Sequence, residues 1–205
     1  GKTIGMEEDA ALLDDIPVTD DPAGEARPVK LQLSGAERGT LYHYVMEFVQ
    51  RDEPAAEMLA RLEKGGLISA LEKDTINNEK IDRFRNGLLG KRFFDALDRG
   101  RGFRERKFIV GFPVREVLGD RFPALPDGER IMVQGIMDMY FEEDDGIVIV
   151  DYKTDRVEDA GVLKERYHRQ LELYAAALEQ ITGKRVKETW IYSFALDEEI
   201  PLKIK

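Results

Sequence analysis

The order of hydrophobic and polar positions along the chain predicts helices first and strands afterwards. Apolar side chains recur at helical spacing over residues 36–50 and 54–64, and again over residues 67–98 with two breaks at Asn- and Gly-containing positions. Pro54 is placed at the first turn of the second segment, where proline is favoured. We therefore expect a helical part over residues 36–99.

The second half of the chain has the pattern of strands. Predicted strands cover residues 104–112, 130–142, 147–154 and 187–195, and a short edge strand starts at Ile200. The tripeptide Asp144-Asp145-Gly146 predicts a tight turn, so the second and third strands should form an antiparallel hairpin. A long amphipathic helix over residues 162–181, closed by Gly183, separates the third strand from the fourth. This order of elements indicates an α/β domain with a mixed sheet.

Composition divides the chain into an arm and one domain. Residues 1–34 are acidic and punctuated by proline and glycine, which predicts a linker or loosely ordered arm. Residues 35–205 are expected to form one domain, with a helical part over residues 36–99 and a sheet core over residues 103–205. No apolar run approaches the ~20 residues that a membrane span needs, and the N-terminus lacks a signal-peptide pattern. The chain starts without methionine, so we expect a piece of a longer protein, and the absence of cysteine favours an intracellular location.

Charge and the lack of cysteine limit the possible chemistry. The formal net charge is −10, yet residues 80–107 hold ten basic and four acidic residues. That stretch is either a phosphate-facing surface or a solvated helix face, and charge alone does not separate the two. Without cysteine the chain has no disulfide, zinc–thiolate site or iron–sulfur cluster. A metal would be held by oxygen atoms or by His43 and His168, which favours hard cations such as Mg²⁺, Mn²⁺ or Ca²⁺.

An acid and a lysine follow the most apolar predicted strand. The run over residues 147–150 leads directly into Asp151-Tyr152-Lys153. Because side chains alternate along a strand, Asp151 and Lys153 project on the same side. Buried unpaired charges cost several kcal/mol, so the two residues form either a salt bridge at a strand end or part of a site.

Asp138 stands between two methionines in the neighbouring strand of the predicted hairpin. The hairpin places it beside Asp151. Two such carboxylates repel, and each raises the pKa of the other, unless a divalent cation lies between them. Asp138, Asp151 and the carbonyl of Tyr152 would then form an oxygen-only site suited to Mg²⁺. With Lys153 beside it, this set suits phosphodiester hydrolysis, in which the lysine stabilises the nucleophile or the developing negative charge.

The long helix presents one stripe of residues at helical spacing. The stripe consists of Leu163, Tyr167, Gln170, Tyr174, Leu178 and Ile181. Gln170 is its polar, non-aromatic member, and its amide either bonds a backbone group or contacts substrate near the metal. His43 shares a helical face with polar residues and, taken alone, is more typical of a surface position. His168 lies among basic residues, so we expect it on the surface.

Three of these segments together resemble the PD-(D/E)XK nuclease superfamily. They are Gly135-Ile136-Met137-Asp138, Asp151-Tyr152-Lys153 and Gln170-x-x-x-Tyr174. They are similar to the G-x-x-D, D-Y-K and Q-x-x-x-Y segments of the RecB-type branch, which also has a histidine on an early helix, at the position of His43. The match covers residues 36–196, most of the chain.

Within this branch the chain most resembles the C-terminal nuclease domain of the AddA subunit of bacterial AddAB helicase–nucleases. The segments that carry this likeness are Glu37-Arg38-Gly39-Thr40, Thr154-Asp155 after the D-Y-K segment, and Arg166-Tyr167 before Gln170. The partner AddB nuclease has four cysteines for an iron–sulfur cluster, and this chain has none.

The resemblance implies a restriction-endonuclease-like α/β core, in which helices flank a central mixed β-sheet and a helical region precedes it. The metal ligands it implies are His43, Asp138, Asp151 and the carbonyl of Tyr152. It also implies catalysis by Asp138, Asp151 and Lys153, with Gln170 and Tyr174 organising the site and touching DNA. Glu105 matches a recurrent acid of the branch, and we interpret it as structural.

The function implied is an Mg²⁺-dependent DNA nuclease, with Mn²⁺ as a substitute, that cuts single strands produced by a helicase during double-strand-break repair and recombination. Its partners would be DNA, the helicase portion of the same parent chain and an AddB-type protein, in the bacterial cytoplasm. The alternative is an inactive relative that binds DNA or scaffolds partners, although this chain keeps both acids and the lysine. A small-ligand Mg²⁺ hydrolase is a third possibility, against which the Gln170–Tyr174 pair and the basic stretch count.

Overall fold

The computed structural model describes residues 3–5, 32–114 and 129–203. Apart from residues 3–5 and 32–34, the arm predicted over residues 1–34 lies outside this described part. Residues 3–5 form a short strand, which the sequence pattern did not predict.

Helices fill the first part of the described chain, as the hydrophobic pattern predicts. The helices are α1 (Gly35–Met46), α2 (Ala55–Lys64), α3 (Ala70–Thr75), α4 (Asn78–Asn86), α5 (Leu88–Asp98) and α6 (Ala160–Thr182). α1 starts at Ser34, whose hydroxyl accepts a hydrogen bond from the Glu37 amide while the Glu37 carboxylate accepts one from the Ser34 amide. Each of these reciprocal bonds satisfies an amide that the first helical turn leaves unpaired.

The first helix is shorter than the pattern predicts, ending at Met46 rather than near residue 50. The position of this helix end is explained by Arg104, which belongs to the first strand after the helical part (Gly102–Pro113). Its guanidinium donates hydrogen bonds to the carbonyls of Glu47 and Val49, at 2.9 and 2.6 Å. These bonds satisfy carbonyls just beyond the helix end, while Val49 remains buried, 2% exposed.

A mixed sheet forms the second part of the domain. The strands are β1 (Thr3–Gly5), β2 (Gly102–Pro113), β3 (Arg130–Glu143), β4 (Gly146–Lys153), β5 (Val186–Ser193) and β6 (Glu198–Leu202). The order is β1-β3-β4-β5-β6, and β2 also pairs with β3. β3 and β4 form the predicted antiparallel hairpin, and β4 runs parallel to β5 after the α6 crossover. The α/β fold class expected from the order of elements is therefore confirmed.

Two hydrophobic clusters pack against the sheet. One joins α1, α2, α4 and α5 to β4 through side chains such as Met46, Phe84 and Tyr152. The other joins α6 to β2, β4 and β5 through side chains such as Leu171 and Ile149. Successive β4 residues alternate between the clusters, so this strand is buried on both faces.

The stripe predicted on α6 is correct except at its end. Leu163 and Leu178 are buried, but Ile181 is 55% exposed. Ile181 lies in the last turn, where Gly183 ends the helix in the left-handed conformation, with φ 68°. Among the described residues, no helix is long and apolar enough to cross a membrane.

Candidate metal centre and active site

Asp138 of β3 is held by two elements at once. Its Oδ1 lies 3.0 Å from Nδ1 of His43 on α1. Its Oδ2 accepts a hydrogen bond of 2.6 Å from the backbone amide of Tyr152 on β4. The turn at residues 144–146 sets the register of the hairpin, in which Met139 and Val150 are the last paired residues. Asp138 lies one position beyond this pair, where its carboxylate can reach the Tyr152 amide. The aspartate is therefore fixed in one orientation and only 8% exposed.

Glu105 joins this pair, although we interpreted it from the sequence as structural. One ligand atom each from His43, Glu105 and Asp138 lies within 4.8 Å of the others. Glu105 faces Asp138 because its neighbours Arg104 and Arg106 pair with the neighbours of Asp138 across β2 and β3. Its φ of 46° breaks the regular strand at this point. In the sequence, Glu105 is an acid surrounded by the basic residues Arg104, Arg106 and Lys107. This contrast is the feature that could have indicated a place in the site.

Asp151 and Lys153 lie side by side on β4, as alternation along the strand predicts. Asp151 Oδ2 lies 3.0 Å from Lys153 Nζ, and the two residues are 3% and 2% exposed. Burial raises the pKa of Asp151 to about 6, and Lys153 opposes that rise while Asp138 adds to it. No described residue gives Asp151 Oδ2 a well-aligned hydrogen bond. This carboxylate oxygen is thus buried and poorly satisfied, which a nearby cation would correct.

The ammonium group of Lys153 has an aromatic neighbour on α6. Its Nζ lies 4.1 Å from the ring centre of Tyr167, close enough for a cation–π contact. The Tyr167 hydroxyl donates to the Asp155 carboxylate, 2.9 Å from each oxygen, and Arg166 also donates to Asp155 at 2.6 Å. Tyr167 is therefore anchored at its hydroxyl end while its ring face meets the lysine. The sequence stripe contained Tyr167, but we had not assigned it to the site.

Gln170 and Tyr174 contact each other on α6. Gln170 Nε2 donates to the Tyr174 hydroxyl at 2.9 Å, so the amide has a side-chain partner rather than a backbone one. Burial raises the pKa of Tyr174, and the charge of Asp151 raises it further. A Cβ on Gly135 would come within 3.3 Å of the Tyr174 ring and 2.9 Å of the Phe108 ring. Glycine at this position of β3 lets both rings approach the strand.

The donor set fits a divalent cation. Ligands of Mg²⁺ stand about 2.1 Å from the ion, so neighbouring ligands of an octahedron are about 3 Å apart. The 3.0 Å between His43 Nδ1 and Asp138 Oδ1 meets that spacing, and Glu105 supplies a further oxygen nearby. Asp151 adds a buried carboxylate next to this cluster. A mixture of imidazole and carboxylate suits Mn²⁺ as well as Mg²⁺.

The side chains of Tyr152 and His168, both considered in the sequence analysis, lie outside this site. The backbone of Tyr152 reaches the site through its amide, while its side chain packs on the opposite face against Phe84 and Phe194. His168 is on the surface, as expected, with its ring 3.2 Å from Glu172.

Four of the ten basic residues in the stretch over residues 80–107 form ion pairs with described acids: Arg83, Arg85, Arg92 and Arg101. Arg92 binds Glu143 and Glu188, Arg85 binds Asp82, and Arg101 binds Asp144. These four cations are occupied by internal contacts, which counts against the stretch as one continuous phosphate-binding face.

Comparison with known proteins gives consistent matches. Residues 23–200 match the family model of the PD-(D/E)XK nuclease superfamily. The chain is 36% identical over 208 residues to an ATP-dependent helicase/nuclease subunit of Lachnoclostridium phytofermentans, covering 84% of this chain and 15% of that protein. The proteins of the same name from Ruminiclostridium cellulolyticum and Clostridium botulinum are 37% and 35% identical, over 180 and 178 residues, each covering 84% of this chain and 14% of the relative. The chain thus spans about a seventh of the length of these relatives.

Proposed function

This chain belongs to the PD-(D/E)XK nuclease superfamily, and from that premise we propose that it is a DNA nuclease domain that uses Mg²⁺, with Mn²⁺ as a substitute, to hydrolyse phosphodiester bonds. The observation that carries the proposal is that two sets of polar side chains lie next to each other. His43, Glu105 and Asp138 form a cation-binding cluster, and Asp151 with Lys153 lies beside it. A bound cation and a positioned positive side chain both promote hydrolysis of a phosphodiester.

The residues that would hold the cation are His43, Asp138, Asp151 and the carbonyl of Tyr152, together with Glu105. When bound, the cation polarises the phosphate and makes water a stronger nucleophile near neutral pH. The 3.0 Å contact with Asp151 and the Tyr167 ring both favour the charged form of Lys153.

The charged lysine is the catalytic group that this chain itself supplies. Its ammonium is buried, so its field at the reacting phosphate is little screened by solvent. It would orient the nucleophile or stabilise the charge that develops on the phosphate oxygens. The hydrogen bond from Gln170 holds the Tyr174 hydroxyl in place, and we propose that both residues organise the site and contact DNA.

The substrate that we propose is single-stranded DNA delivered by a helicase. Support comes from the printed names of the relatives, which describe subunits with both helicase and nuclease parts, and from the short share of their length that this chain covers. The net charge of −10 also fits a domain that receives its substrate from a neighbouring part of the protein rather than capturing it alone. On this proposal the parent is a bacterial cytoplasmic helicase–nuclease that works with an AddB-type protein in double-strand-break repair and recombination.

Cleavage of end-labelled DNA tests the proposal directly. Single-stranded and double-stranded oligonucleotides, labelled at the 5′ or the 3′ end, are incubated with the protein in Mg²⁺, in Mn²⁺ and in EDTA. Asp151→Asn and Lys153→Met are the test variants, and Asp144→Asn is the matched control. Asp144 is an 86% exposed carboxylate in the turn of the same hairpin, paired with Arg101.

We expect metal-dependent cutting of the single strand by the wild type and the control, and no cutting by either test variant. Full activity of folded Asp151→Asn would refute the assigned site. DNA binding without cleavage by the wild type, under every metal condition, would instead favour an inactive binding or scaffolding module of the same fold.

A further inference from the structure

A polar cavity lies beside the end of β4, on the side of the helical part. Its volume is about 240 Å³. Three cationic side chains line it: Arg38 from α1, Lys80 from α4 and Arg156 from the segment that follows β4. The hydroxyl-bearing residues Thr75 and Thr154 line it as well. The Thr75 hydroxyl donates to the Leu71 carbonyl, so the cavity offers positive charge and hydrogen-bond donors from three separate parts of the chain: α1, α4 and the segment after β4.

The two arginines of this cavity lack acidic partners in the part of the chain that the structure describes. Neither Arg38 nor Arg156 makes an ion pair or a side-chain hydrogen bond with a described residue. Other arginines of the domain, such as Arg51 and Arg92, each bind two carboxylates. What sets these two arginines apart is that they converge on one cavity whose lining contains no acid, so their donors are available to an anionic ligand.

Lys80 is held at the cavity wall by main-chain carbonyls. Its Nζ donates to the carbonyls of Phe194 and Ala195, with the second bond at 3.3 Å. Burial lowers the pKa of Lys80, and the charges of Arg83 and Arg38 lower it further. Three positive charges are thus concentrated at one place, and an anion bound between them would relieve their mutual repulsion.

Rigid contacts tie the cavity wall to the strand that carries Lys153. The Tyr42 and Phe194 rings pack at 4.5 Å, and the Tyr42 hydroxyl accepts a hydrogen bond from the Asn77 amide. The Phe194 amide donates to the Lys153 carbonyl at 2.8 Å. The cavity is therefore fixed relative to the candidate active site.

We propose that this cavity is a phosphate-binding subsite for a DNA phosphate other than the one that is cut. Thr154 follows Lys153 in the chain, and alternation directs it to the opposite face of β4 from the lysine. A DNA strand passing the end of β4 would present one phosphate to the candidate metal centre and another to this cavity. Arginine fits the ligand because its fork of donors matches phosphate oxygens, and the Thr154 hydroxyl adds a neutral donor.

The size of the cavity agrees with such a ligand. At ~30 Å³ per water molecule, about 240 Å³ corresponds to roughly eight waters, which is room for a phosphate group and part of its hydration. The proposal deepens the nuclease function and rests on it for the identity of the ligand, but its test does not depend on cleavage.

Equilibrium binding in EDTA tests the subsite. The ligand is a 3′-fluorescein-labelled oligothymidylate, and affinity is measured by fluorescence anisotropy over a series of KCl concentrations. The variants are Arg38→Gln and Arg156→Gln, and Arg99→Gln is the matched control. Arg99 is exposed at the end of α5, so the control removes the same charge outside the cavity. Thermal denaturation of each variant verifies its fold, and the exposed position of Arg156 makes its glutamine variant the safer of the two.

We expect each cavity variant to weaken binding about five- to tenfold at low salt. Each should also reduce the slope of log affinity against log salt by about 0.7, the value for one lost contact to a single strand. The control should change affinity less than twofold. Unchanged binding by both folded cavity variants, or an equal loss in the control, would overturn the proposal.

Two sources of the phosphate are separated with three ligands: a 5′-phosphorylated strand, the same strand with a 5′-hydroxyl, and a circular single strand. A preference of the wild type for the phosphorylated end, lost in Arg38→Gln, assigns the subsite to a terminal phosphate. An equal loss of affinity for all three assigns it to a backbone phosphate. If the wild type cuts no DNA, the nuclease proposal fails while the binding comparison still decides the subsite.

Discussion

Replacing Arg92 with methionine tests how the helical part is held to the sheet. The Arg92 guanidinium on α5 makes four hydrogen bonds of 2.8–2.9 Å, two to Glu143 of β3 and two to Glu188 of β5. Its side chain is 20% exposed, and its guanidinium lies 5.5 Å from the centre of the Phe141 ring. Methionine keeps most of the aliphatic stem and removes the guanidinium alone, so the loss reports the ionic contacts rather than packing.

The expected loss of unfolding free energy at pH 7 is about 2–3 kcal/mol. Removing one partner of a fully buried pair costs about 3–5 kcal/mol, and this group is partly exposed, which reduces the figure. The pKa shift leads to a similar value. Arg92 is the main cause that lowers the pKa of Glu143 from 4.5 to about 2. At about 1.4 kcal/mol per pKa unit, that shift sets an upper value of about 3 kcal/mol before solvent screening is counted.

The loss should depend on pH in a defined direction. A carboxyl group whose pKa is lowered by folding stabilises the folded state fully above pH 4.5, and that stabilisation is lost as the pH falls through about 2. In Arg92→Met the pKa of Glu143 returns towards its ordinary value. The difference between wild type and variant should therefore shrink by about 1 kcal/mol between pH 7 and pH 3.5.

Urea denaturation followed by circular dichroism at both pH values measures these differences. Arg101→Met is the control, since its pair with Asp144 is 45% and 86% exposed and should contribute less than about 0.5 kcal/mol. If Arg92→Met and the control lose the same stability at pH 7, or if the gap between wild type and Arg92→Met widens in acid, the reasoning about this bridge is wrong.

Three further outcomes are expected. His43→Ala should weaken Mn²⁺ binding at least tenfold in calorimetric titration but change Ca²⁺ binding less, because Ca²⁺ takes oxygen ligands; unchanged Mn²⁺ binding would exclude the histidine as a ligand. Gly135→Ala should cost about 1–3 kcal/mol in urea denaturation because its new Cβ would meet two aromatic rings, whereas Gly111→Ala would meet only flexible side-chain ends and should cost less. If the ring face of Tyr167 stabilises the charged form of Lys153, Tyr167→Leu should lower kcat at least tenfold with little change in KM. Tyr167→Phe keeps the ring and should retain most of the activity. Equal activity of the two variants would count against this role.

The grouping of Asp138, Asp151 and Lys153 could be predicted because the signals are local. An Asp-Asp-Gly turn sets the hairpin, and alternation along a strand then fixes which side chains share a face. The roles of these residues in catalysis remain predictions. The helices were predictable for the same reason, since their periodicity and breaks are short-range features of the sequence.

Contacts between residues that are far apart in the sequence could not be predicted from these local patterns. Glu105 faces Asp138 only because β2 pairs with β3 in one particular register, and no spacing within the sequence reveals that register. His43 entered the predicted site through family resemblance alone, since its helical neighbours are typical of a surface face. The strand at residues 3–5 is equally non-local, because it depends on β3 as its parallel partner.

The contact between His43 and Asp138 has a consequence for how the protein is made. The two residues are 95 positions apart in the sequence, although their ligand atoms lie only 3.0 Å apart. At a synthesis rate of about 5–20 residues per second, the histidine is made roughly 5–20 s before the aspartate. During that interval the nascent chain has the helix but not the strand that completes the cluster. If His43 and Asp138 bind the cation as we propose, a ribosome-bound chain stalled before β3 lacks part of the ligand set and cannot yet cut nucleic acid.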